Sequence, residues 1–373
     1  MFSALYPPAY RGGGPVRTTY AMAKTHSVST RFRIVTSNLD WGEAEPLDVE
    51  PDQWIQRNEG LVWYTGGNAL SSFLRATCSA RENSPDFVYL NSFFNPVFSI
   101  LPSILFKLRF FGEARLIVAP RGEFGSAARE YKSLKKDAFV NFCRLVGLHA
   151  RTTWHASSEV EAADIRRAFP SSNVIVRINE STLPAQALRR PIRGSGPIRL
   201  MFVSRVAEIK GVAILLRALR GIQRFIVLDI YGPSDDEAYL ECCQGLAEAL
   251  PDNIQVRFNG GVENSQVREL FADADAFFLP TEQENFGHAI AESLSAGCPV
   301  YVADVTPWTE VIRSGGGSIV PSREVDAWHL ALVEFCDLSP EQRRSKKLAA
   351  ADAYEKWRAN QHGPSIFELA AQQ

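Results

Sequence analysis

The feature that most constrains the fold of this chain is a series of short apolar runs separated by helical segments. The runs are apolar throughout and do not alternate with polar residues, which indicates strands that are covered on both faces. Parallel sheets between layers of helices have this pattern, so the sequence predicts open, doubly wound α/β domains. The predicted strands are 32–37, 61–64, 87–90, 116–119, 152–156, 174–178, 198–204, 225–231, 254–258, 276–280 and 299–303.

The length of 373 residues favours two domains. Prolines and glycines among arginines at 183–197 are typical of a linker. We therefore predict an N-terminal Rossmann-like domain at 1–182 and a C-terminal one at 198–350. The segment 351–373 is expected to be helical and to return to the N-terminal domain. Two such domains are expected to face each other across a cleft at the carboxyl ends of their strands.

The composition is that of a globular protein with full cores, since 46% of the residues are hydrophobic. The net charge of −2 gives no whole-chain argument for a nucleic-acid partner. The six cysteines form no CxxC pair and are expected to be reduced thiols of a cytosolic protein. Neither a signal peptide nor an apolar run long enough to cross a bilayer is recognised, so a cytoplasmic location is expected.

The segment 281–292 has the strongest features of a ligand site. It follows a predicted strand, carries Glu284 and the pair Phe286-Gly287, and leads into a helix that contains Glu292. A strand, a polar loop and a helix N-terminus form a site for anionic phosphates, while the carboxylates can accept hydrogen bonds from hydroxyl groups. This combination indicates a nucleotide-sugar. The alternative is that both glutamates are ordinary solvated residues.

Two cations belong to the same predicted edge of the second domain. Arg205 follows the strand 198–204, and Lys210 precedes the next helix. A guanidinium and an ammonium group in these positions suit a diphosphate. Exposed loop cations without a ligand are the alternative.

The first domain offers weaker candidates for its own strand ends. Gly12, Gly13 and Gly14 could let backbone amides approach a ligand, or could form a simple turn, and they do not make the GxGxxG fingerprint. Arg121, in Pro120-Arg121-Gly122, is predicted to point into the cleft; a surface turn is the alternative.

Three further candidates for the site are an aspartate pair, a histidine and a tryptophan. Asp273 and Asp275 resemble a metal-binding pair, but they precede a strand and so lie away from the cleft, and no metal site is predicted. His288 at the helix start suits a neutral hydrogen-bonding role or a packed structural one. Trp308 could stack on a base or sugar, or fill a gap between helix and sheet.

Several motifs together resemble one enzyme family in their order and spacing. They are Gly12-Gly13-Gly14, the segment 154–162, Ser204-Arg205 with Lys210-Gly211, the segment 229–233, Glu284 with Glu292, and the segment 291–300. Over nearly the whole chain they resemble the retaining GT-B glycosyltransferases of family 4. The resemblance implies two Rossmann-like domains, a nucleoside diphosphate sugar donor held mainly by the C-terminal domain, and an acceptor held mainly by the N-terminal domain.

The resemblance also implies roles for particular residues. Arg205 and Lys210 would hold the donor diphosphate, Glu284 would accept hydrogen bonds from the sugar, and Glu292 from the ribose. The remaining donor-binding positions would contribute mostly backbone groups, and they are Gly12, Gly13, Gly14, Gly261, Val262, Phe286, Gly287 and His288.

Two of the chain's departures from the family pattern concern possible site residues. Many relatives carry a histidine near the position of Pro120-Arg121-Gly122, and the usual Pro-Asn-Gly before the linker is Ile178-Asn179-Glu180 here. The role of that histidine, and of Asn179, is therefore open in this chain.

The segment 101–155 is basic, with ten Lys or Arg against four Asp or Glu. Lys132, Lys135 and Lys136 are spaced to share one helix face, and the apolar stretch 93–106 lies just upstream. Basic and apolar surface together suit an anionic membrane and a lipid-linked acceptor, which would make the protein peripheral on the inner face of the plasma membrane. The alternative is an apolar core beside a solvated lysine face.

Together these features predict a retaining, metal-independent glycosyltransferase that uses a UDP or GDP sugar, needs no cofactor, and acts on a glycan or lipid-linked acceptor. A sugar-nucleotide epimerase, a phosphorylase and a catalytically silent glycan-binding or scaffold protein with the same fold are the alternatives.

Overall fold

The computed structural model describes residues 1–125, 133–190, 196–234, 236–361 and 363–373. It divides into two compact units. The N-terminal unit comprises Met1–Thr182 and Gly363–Gln373, and the C-terminal unit comprises Leu183–His362. No helix among these described residues is long and apolar enough to cross a membrane.

The N-terminal unit is built on a mostly parallel sheet. Its strands are β1 (Arg33–Ser37), β2 (Trp54–Arg57), β3 (Gly60–Thr65), β4 (Phe87–Leu90), β5 (Arg115–Val118), β6 (Thr152–Ala156) and β7 (Asn173–Val176). They pair in the orders β1-β3-β2 and β4-β5-β6-β7, with β2 antiparallel. Phe2 forms parallel bridges to Val35 and Leu90 and so joins the two groups at the position of the first strand.

Both faces of this sheet are covered by apolar cores. Leu116 and Val118 pack into one core, whereas Ile117 and the following Ala119 pack into the other. Successive strand residues point to opposite faces, so a strand that is buried on both sides must be apolar throughout. Burial of the strands on both faces therefore explains the apolar runs of the sequence.

Helices connect the strands of the N-terminal unit. They are Gly14–His26, Ala69–Arg81, Leu101–Lys107, Ser133–Leu145, Glu159–Ala168 and Ile366–Ala371. The side chain of Ser158 caps one of them, and a reciprocal pair of hydrogen bonds between Ser365 and Glu368 caps the last.

The C-terminal unit has a fully parallel sheet. Its strands are β8 (Ile198–Val203), β9 (Ile226–Tyr231), β10 (Ile254–Phe258), β11 (Ala276–Leu279), β12 (Val300–Ala303) and β13 (Gly317–Val320). Their order is β10-β9-β8-β11-β12-β13, which is the dinucleotide-fold order with a reversal between β8 and β11. The main helices are Val212–Ala218, Glu237–Glu248, Asn264–Asp273, His288–Ser295, Val325–Cys336 and Pro340–Ala359. The prediction of two Rossmann-like α/β domains is confirmed.

Two strands of the structure were not predicted from the sequence. Trp54–Arg57 is a half-buried edge strand in a hairpin with β3, so it lacks the apolar run of a central strand. Gly317–Val320 begins at the last of three consecutive glycines, which are typical of a turn.

The predicted domain boundary at 350 falls inside the helix Pro340–Ala359, which belongs to the C-terminal unit. Ser339 and Gln342 cap the start of this helix, and its buried face continues through Ala350, Ala351 and Tyr354. An uninterrupted buried helix face leaves no place for a boundary, so the segment grouped with the N-terminal unit begins at Gly363. The predicted linker at 183–197 includes residues 191–195, which lie outside the described residues.

Candidate functional site

The candidate site lies at the carboxyl ends of the central strands of the C-terminal unit. Arg205 and Lys210 follow β8, and Glu284 follows β11. These two strands are neighbours at the point where the strand order reverses. Open α/β sheets bind their ligands in the crevice at such a point. The fold therefore brings together the two segments that the sequence had singled out separately.

Lys210 and Glu284 form an ion pair at this position. The Lys210 Nζ atom lies 2.6 Å from Glu284 Oε1, and the two side chains are only 13% and 15% exposed. The same ammonium group donates to the carbonyl oxygen of Gln283 at 3.2 Å and to Thr281 Oγ1 at 3.4 Å. Three acceptors match the three donors of an ammonium group, so the cation is held in a defined place.

Backbone contacts between the two loops position this pair. The amide of Glu282 donates to the carbonyl oxygen of Ile209 at 2.8 Å, which ties the β11 loop to the short 3-10 turn before Gly211. A Cβ atom at Gly211 would lie 2.3 Å from the carbonyl oxygen of Pro280, and its φ is +76°. Only glycine permits this approach, which brings the two loops into contact.

The helix His288–Ser295 begins directly after the Glu284 loop. Gly287 is its N-cap residue, in the left-handed conformation. Helix N-terminal amides and the helix dipole favour an anion. The half-buried His288 ring packs edge-on against Phe286 at 4.7 Å between centroids.

Glu292 lies inside this helix and is buried, with 7% exposure. The interpretation of Glu292 as a solvated helix residue is therefore wrong. Glu284 is also largely withdrawn from solvent by its pairing with Lys210. Charged side chains are rarely buried without a partner or a function, which keeps both glutamates as candidates.

Trp308 is a packing residue. It is 1% exposed, its indole N–H donates to the carbonyl oxygen of Phe286, and its ring lies 4.4 Å from that of Trp357. The structure supports the alternative that it fills a gap between helix and sheet. Its hydrogen bond holds the Phe286 backbone just before the helix start.

Arg205 is exposed and directly follows Ser204 at the end of β8. Its backbone position depends on Gly232, because a Cβ atom there would lie 1.9 Å from the carbonyl oxygen of Ser204. The Gly232 amide in turn donates to the carbonyl oxygen of Gly260 at 2.7 Å. Gly261 is exposed and Val262 half-buried just beyond. The loop after β9 therefore contacts both the loop after β8 and the loop after β10.

Arg323 is a positioning residue that the sequence analysis missed. Its Nε donates to the carbonyl oxygen of Pro280 at 3.1 Å, and its terminal nitrogens donate to Glu282 at 2.9 Å and to the carbonyl oxygen of Glu208 at 3.2 Å. It therefore links the Lys210 turn to the β11 loop. Its position just after β13 could have identified it as a candidate from the sequence, but β13 was not among the predicted strands.

Gly12, Gly13 and Gly14 lie in the N-terminal unit. Gly13 is the N-cap of the helix Gly14–His26, and its amide donates to the carbonyl oxygen of Tyr10 at 3.3 Å. The segment therefore forms a turn into the helix, and a contact with the donor remains a prediction.

Arg121 lies at the carboxyl end of β5, but its guanidinium is used within the unit. Its Nε donates to Asn91 Oδ1 at 2.8 Å, one terminal nitrogen donates to Asn179 Oδ1, and the other donates to the Tyr89 hydroxyl at 2.6 Å. Tyr89 and Asn91 belong to β4 and the loop after it, Asn179 follows β7, and Arg121 itself follows β5. Arg121 therefore joins the loops of the N-terminal unit, and Asn179 has a structural contact here.

A buried hydrogen-bond chain continues from Tyr89 to His155. The Tyr89 hydroxyl lies 2.8 Å from His155 Nδ1, and His155 Nε2 lies 2.8 Å from the carbonyl oxygen of Arg177. A carbonyl only accepts, so Nε2 carries the proton and the neutral ring accepts the Tyr89 proton at Nδ1. Burial, aided by the positive charge of Arg121, lowers the pKa of His155 to about 3.

This pKa makes stability depend on pH. Between pH 6.5 and 3 the unfolded chain binds a proton at this histidine and the folded chain does not, so stability is lost as pH falls through that window. Each pH unit costs ~1.4 kcal/mol, so the His155 contribution to the free energy of unfolding should fall by ~2 kcal/mol between pH 7.5 and pH 5.

The matched variant is His155→Gln, whose amide offers one acceptor and one donor but does not titrate. We expect the difference in free energy of unfolding between the parent and this variant, measured in urea, to shift by that amount over the same pH range. Parallel pH profiles for the two proteins would contradict the assignment.

Asp273 and Asp275 both make contacts with arginine residues of the C-terminal unit. Asp273 pairs with Arg190 at 2.8 Å, and Asp275 accepts the backbone N–H of Arg199 at 2.8 Å. Among the described ranges, no group of three or more His, Cys, Asp or Glu side chains could hold a metal ion.

The apolar stretch 93–106 is mainly core. Phe93 and Phe98 are buried, and most of the other large residues of the stretch pack against the same core. Lys132 lies outside the described residues, Lys135 is exposed, and Lys136 lies 5.6 Å from the Phe94 ring. A membrane surface formed by this stretch is therefore not supported.

Solved structures of other proteins share the fold of this chain. Sucrose-phosphate synthase from Thermosynechococcus elongatus matches with a TM-score of 0.70 at 16% identity, covering 97% of this chain and 92% of that one. HepE of Anabaena in complex with UDP and glucose matches with a TM-score of 0.66 at 14% identity, covering 95% and 93%. The chain has the GT-B fold.

Sequence comparison identifies a protein family that most of the C-terminal unit matches. Residues 187–352 match the family "Glycosyl transferases group 1". Phosphatidyl-myo-inositol mannosyltransferase of Mycobacterium leprae is 31% identical over 140 residues, which cover 36% of this chain and 36% of the relative. D-inositol 3-phosphate glycosyltransferase of Thermomonospora curvata is 30% identical over 160 residues, which cover 40% and 37%. The chain thus spans little more than a third of these two curated relatives.

Proposed function

We propose that this protein is a glycosyltransferase that moves a sugar from a nucleoside diphosphate sugar to a hydroxyl acceptor, with retention and without a metal ion. The observation that carries the proposal is the Lys210–Glu284 pair, held 2.6 Å apart at the reversal point of a parallel sheet, where Arg205 also follows β8. The group 1 glycosyltransferase match over residues 187–352 covers all three residues and supports the proposal.

The reaction would break the bond between the anomeric carbon and the diphosphate oxygen and form a bond from that carbon to the acceptor oxygen. The acceptor proton would pass to the departing diphosphate on the same face of the sugar. Negative charge therefore develops on the diphosphate as the bond breaks. Arg205, Lys210 and the amides at the start of the helix His288–Ser295 are the groups that would stabilise it.

Glu284 would have two tasks in this scheme. Its Oε1 atom holds Lys210 in place, and the remaining carboxylate oxygen would accept a hydrogen bond from a sugar hydroxyl. Glu292, one to two turns into the helix, would accept from the ribose hydroxyls. Gly261 and Val262 would meet the base through their backbone. The donor would be of the UDP or GDP type, and HepE, a structure of the same fold, binds UDP.

The acceptor would be a glycan or a lipid-linked intermediate. The relatives from Mycobacterium leprae and Thermomonospora curvata are named for reactions at inositol compounds, so cyclic polyols are the first acceptors to test. In the N-terminal unit, the Arg121 network would shape the acceptor side, since two of its five N–H donors are not needed by the three contacts described.

The test starts from a panel of UDP and GDP sugars screened by thermal shift. Each donor that stabilises the protein is then incubated with polyol acceptors, and product and anomeric configuration are followed by NMR. We expect a product with the anomeric configuration of the donor, formed at the same rate in excess EDTA, because the cations of the chain stabilise the leaving group.

Three outcomes would contradict the proposal in different ways. Loss of activity in EDTA that Mn²⁺ restores would overturn the metal-independent reaction. Conversion of the donor to its epimer without transfer would indicate an epimerase. Donor binding without any turnover, across the whole acceptor panel, would indicate a binding protein.

A further inference from the structure

A large cavity lies at the opposite end of the N-terminal sheet from the strand ends that carry Arg121. Its volume is about 1030 Å³. Its lining includes Arg115, Thr152 and Asn173, the first residues of β5, β6 and β7. These are amino ends of parallel strands, whereas the Arg121 network lies at carboxyl ends. The cavity is therefore separate from the candidate acceptor side of this unit.

The lining of this cavity is strongly basic. Glu113 is the one acidic side chain among the lining residues, and the cations are Lys107, Arg109, Arg115, Arg144 and Arg151. Lys107 and Arg144 donate to backbone carbonyl groups, which are neutral and leave the positive charge uncompensated. Arg109 and Arg151 are exposed, and their guanidinium groups make no hydrogen bond or ion pair with the described part of the chain. The cavity therefore attracts anions.

A buried donor group also belongs to the cavity. Thr152 is 5% exposed, and its hydroxyl has no hydrogen-bond partner among the described residues. A buried polar group without a partner costs free energy. An oxyanion or a water molecule at the base of the cavity would supply the partner.

Exposed apolar side chains lie next to the basic lining residues in the chain. Leu108, between the lining residues Lys107 and Arg109, is 71% exposed. Leu145, next to Arg144, is 86% exposed, and Phe142 is 57% exposed on the same face of its helix. Exposed apolar residues in a cluster mark an interaction surface.

The two helices that carry these residues end side by side. The Lys107 ammonium group, at the end of one helix, donates to the carbonyl oxygens of Val146 and Gly147, just after the end of the other. Leu108 and Leu145 therefore project from adjacent helix ends. The result is an apolar ridge beside a basic cavity.

We propose that this face docks on an anionic phospholipid bilayer. The apolar ridge of Leu108, Phe142 and Leu145 enters the boundary between headgroups and acyl chains, and the basic cavity receives a lipid phosphate. A soluble phosphate would use the cations but leave the exposed leucines without a role. An anionic bilayer uses both at once. This site requires no donor or acceptor sugar and is independent of the proposed reaction.

The experiment is vesicle flotation of the full chain, without any sugar substrate. Vesicles of phosphatidylcholine alone are compared with vesicles that contain phosphatidylglycerol, at low and high salt. We expect binding to the phosphatidylglycerol vesicles only, weakened by salt. Arg109→Glu with Arg151→Glu should weaken it by about 30-fold or more, since each cation contributes on the order of a fivefold change.

A second pair of variants tests the apolar ridge. Leu108→Ser with Leu145→Ser should also weaken binding, while the charge of the cavity is unchanged. Matched controls make the same kinds of change, charge reversal or removal of an exposed apolar side chain, on other surfaces: Arg31→Glu with Arg220→Glu, and Phe225→Ser with Leu330→Ser, whose side chains are exposed. All variants are checked for folding by circular dichroism, and the controls should bind as the parent does.

Three results would overturn the proposal. The first is no binding to anionic vesicles. The second is an equal loss in the control variants, which would indicate a general charge effect. The third is stabilisation by glycerol 3-phosphate or inorganic phosphate in thermal shift, abolished by the Arg109 and Arg151 changes, without vesicle binding; that result would assign the cavity to a soluble anion.

Discussion

Replacement of Lys210 by methionine should lower kcat/KM for sugar transfer about 100- to 1000-fold, the usual cost of removing one preorganised electrostatic stabiliser. The ammonium group would lose its place beside the leaving diphosphate, and Glu284 would remain as a largely buried carboxylate without its cation. An unpaired carboxylate would also repel the donor. Steady-state kinetics with the donor identified by thermal shift measure the effect, and Arg205→Ala should show a loss of similar size.

A matched control is Lys356→Met, which removes an exposed lysine from the helix Pro340–Ala359. It should retain parent kinetics. The double variant Lys210→Met with Glu284→Gln should be less impaired than the two single losses combined, because it removes the unpaired charge as well. If Lys210→Met kept the kcat/KM of the parent, Lys210 would not be the cation that stabilises the diphosphate.

Substitution of Gly232 by alanine should destabilise the protein by about 3 kcal/mol or more. Its φ is +143°, and an added Cβ atom would lie 1.9 Å from the carbonyl oxygen of Ser204 and 3.2 Å from the amide nitrogen of Arg205. The backbone that carries Arg205 must therefore shift, and transfer activity should fall together with stability. Urea unfolding of the parent and the variant measures the change.

Gly245→Ala is the control for this substitution. Gly245 lies inside the helix Glu237–Glu248, and an added Cβ atom meets no atom within 4 Å. Alanine should stabilise this helix by roughly 0.5–1 kcal/mol. Equal effects of the two substitutions would show that the close approach at Gly232 does not determine the loop geometry.

Much of the secondary structure could be predicted because the signal is local. The bounds of Phe87–Leu90, Thr152–Ala156 and Ile254–Phe258 coincide with the predicted strands. Phe87–Leu90 and Thr152–Ala156 are mostly buried, and Ile254–Phe258 is only partly buried. Each is rich in apolar or aromatic residues and has turn residues beside it, and such runs need no information from elsewhere in the chain. Trp54–Arg57 and Gly317–Val320 were missed because an edge position and a glycine run weaken that local signal.

The candidate site was predictable in its parts but not in its assembly. Arg205, Lys210, Glu284 and Glu292 stand next to strand ends and helix starts, where the sequence pattern places ligand-binding residues. The contact between Lys210 and Glu284, 74 positions apart, depends on β8 and β11 being neighbours. Arg323 follows a strand that was not predicted. The three-way contact of Arg121 depends on loops from three strands meeting around one guanidinium.

The sequence by itself determined that this chain forms parallel α/β domains and which strand ends carry its charged residues, because hydrophobic runs and turn residues act over a few positions. Only the tertiary structure decided which of those charges meet. It paired Lys210 with Glu284, buried the apolar stretch 93–106 and left Leu108 and Leu145 exposed beside a basic cavity. Such contacts follow from the order of strands and the packing of helices, which join residues far apart in the chain and leave no local pattern to read.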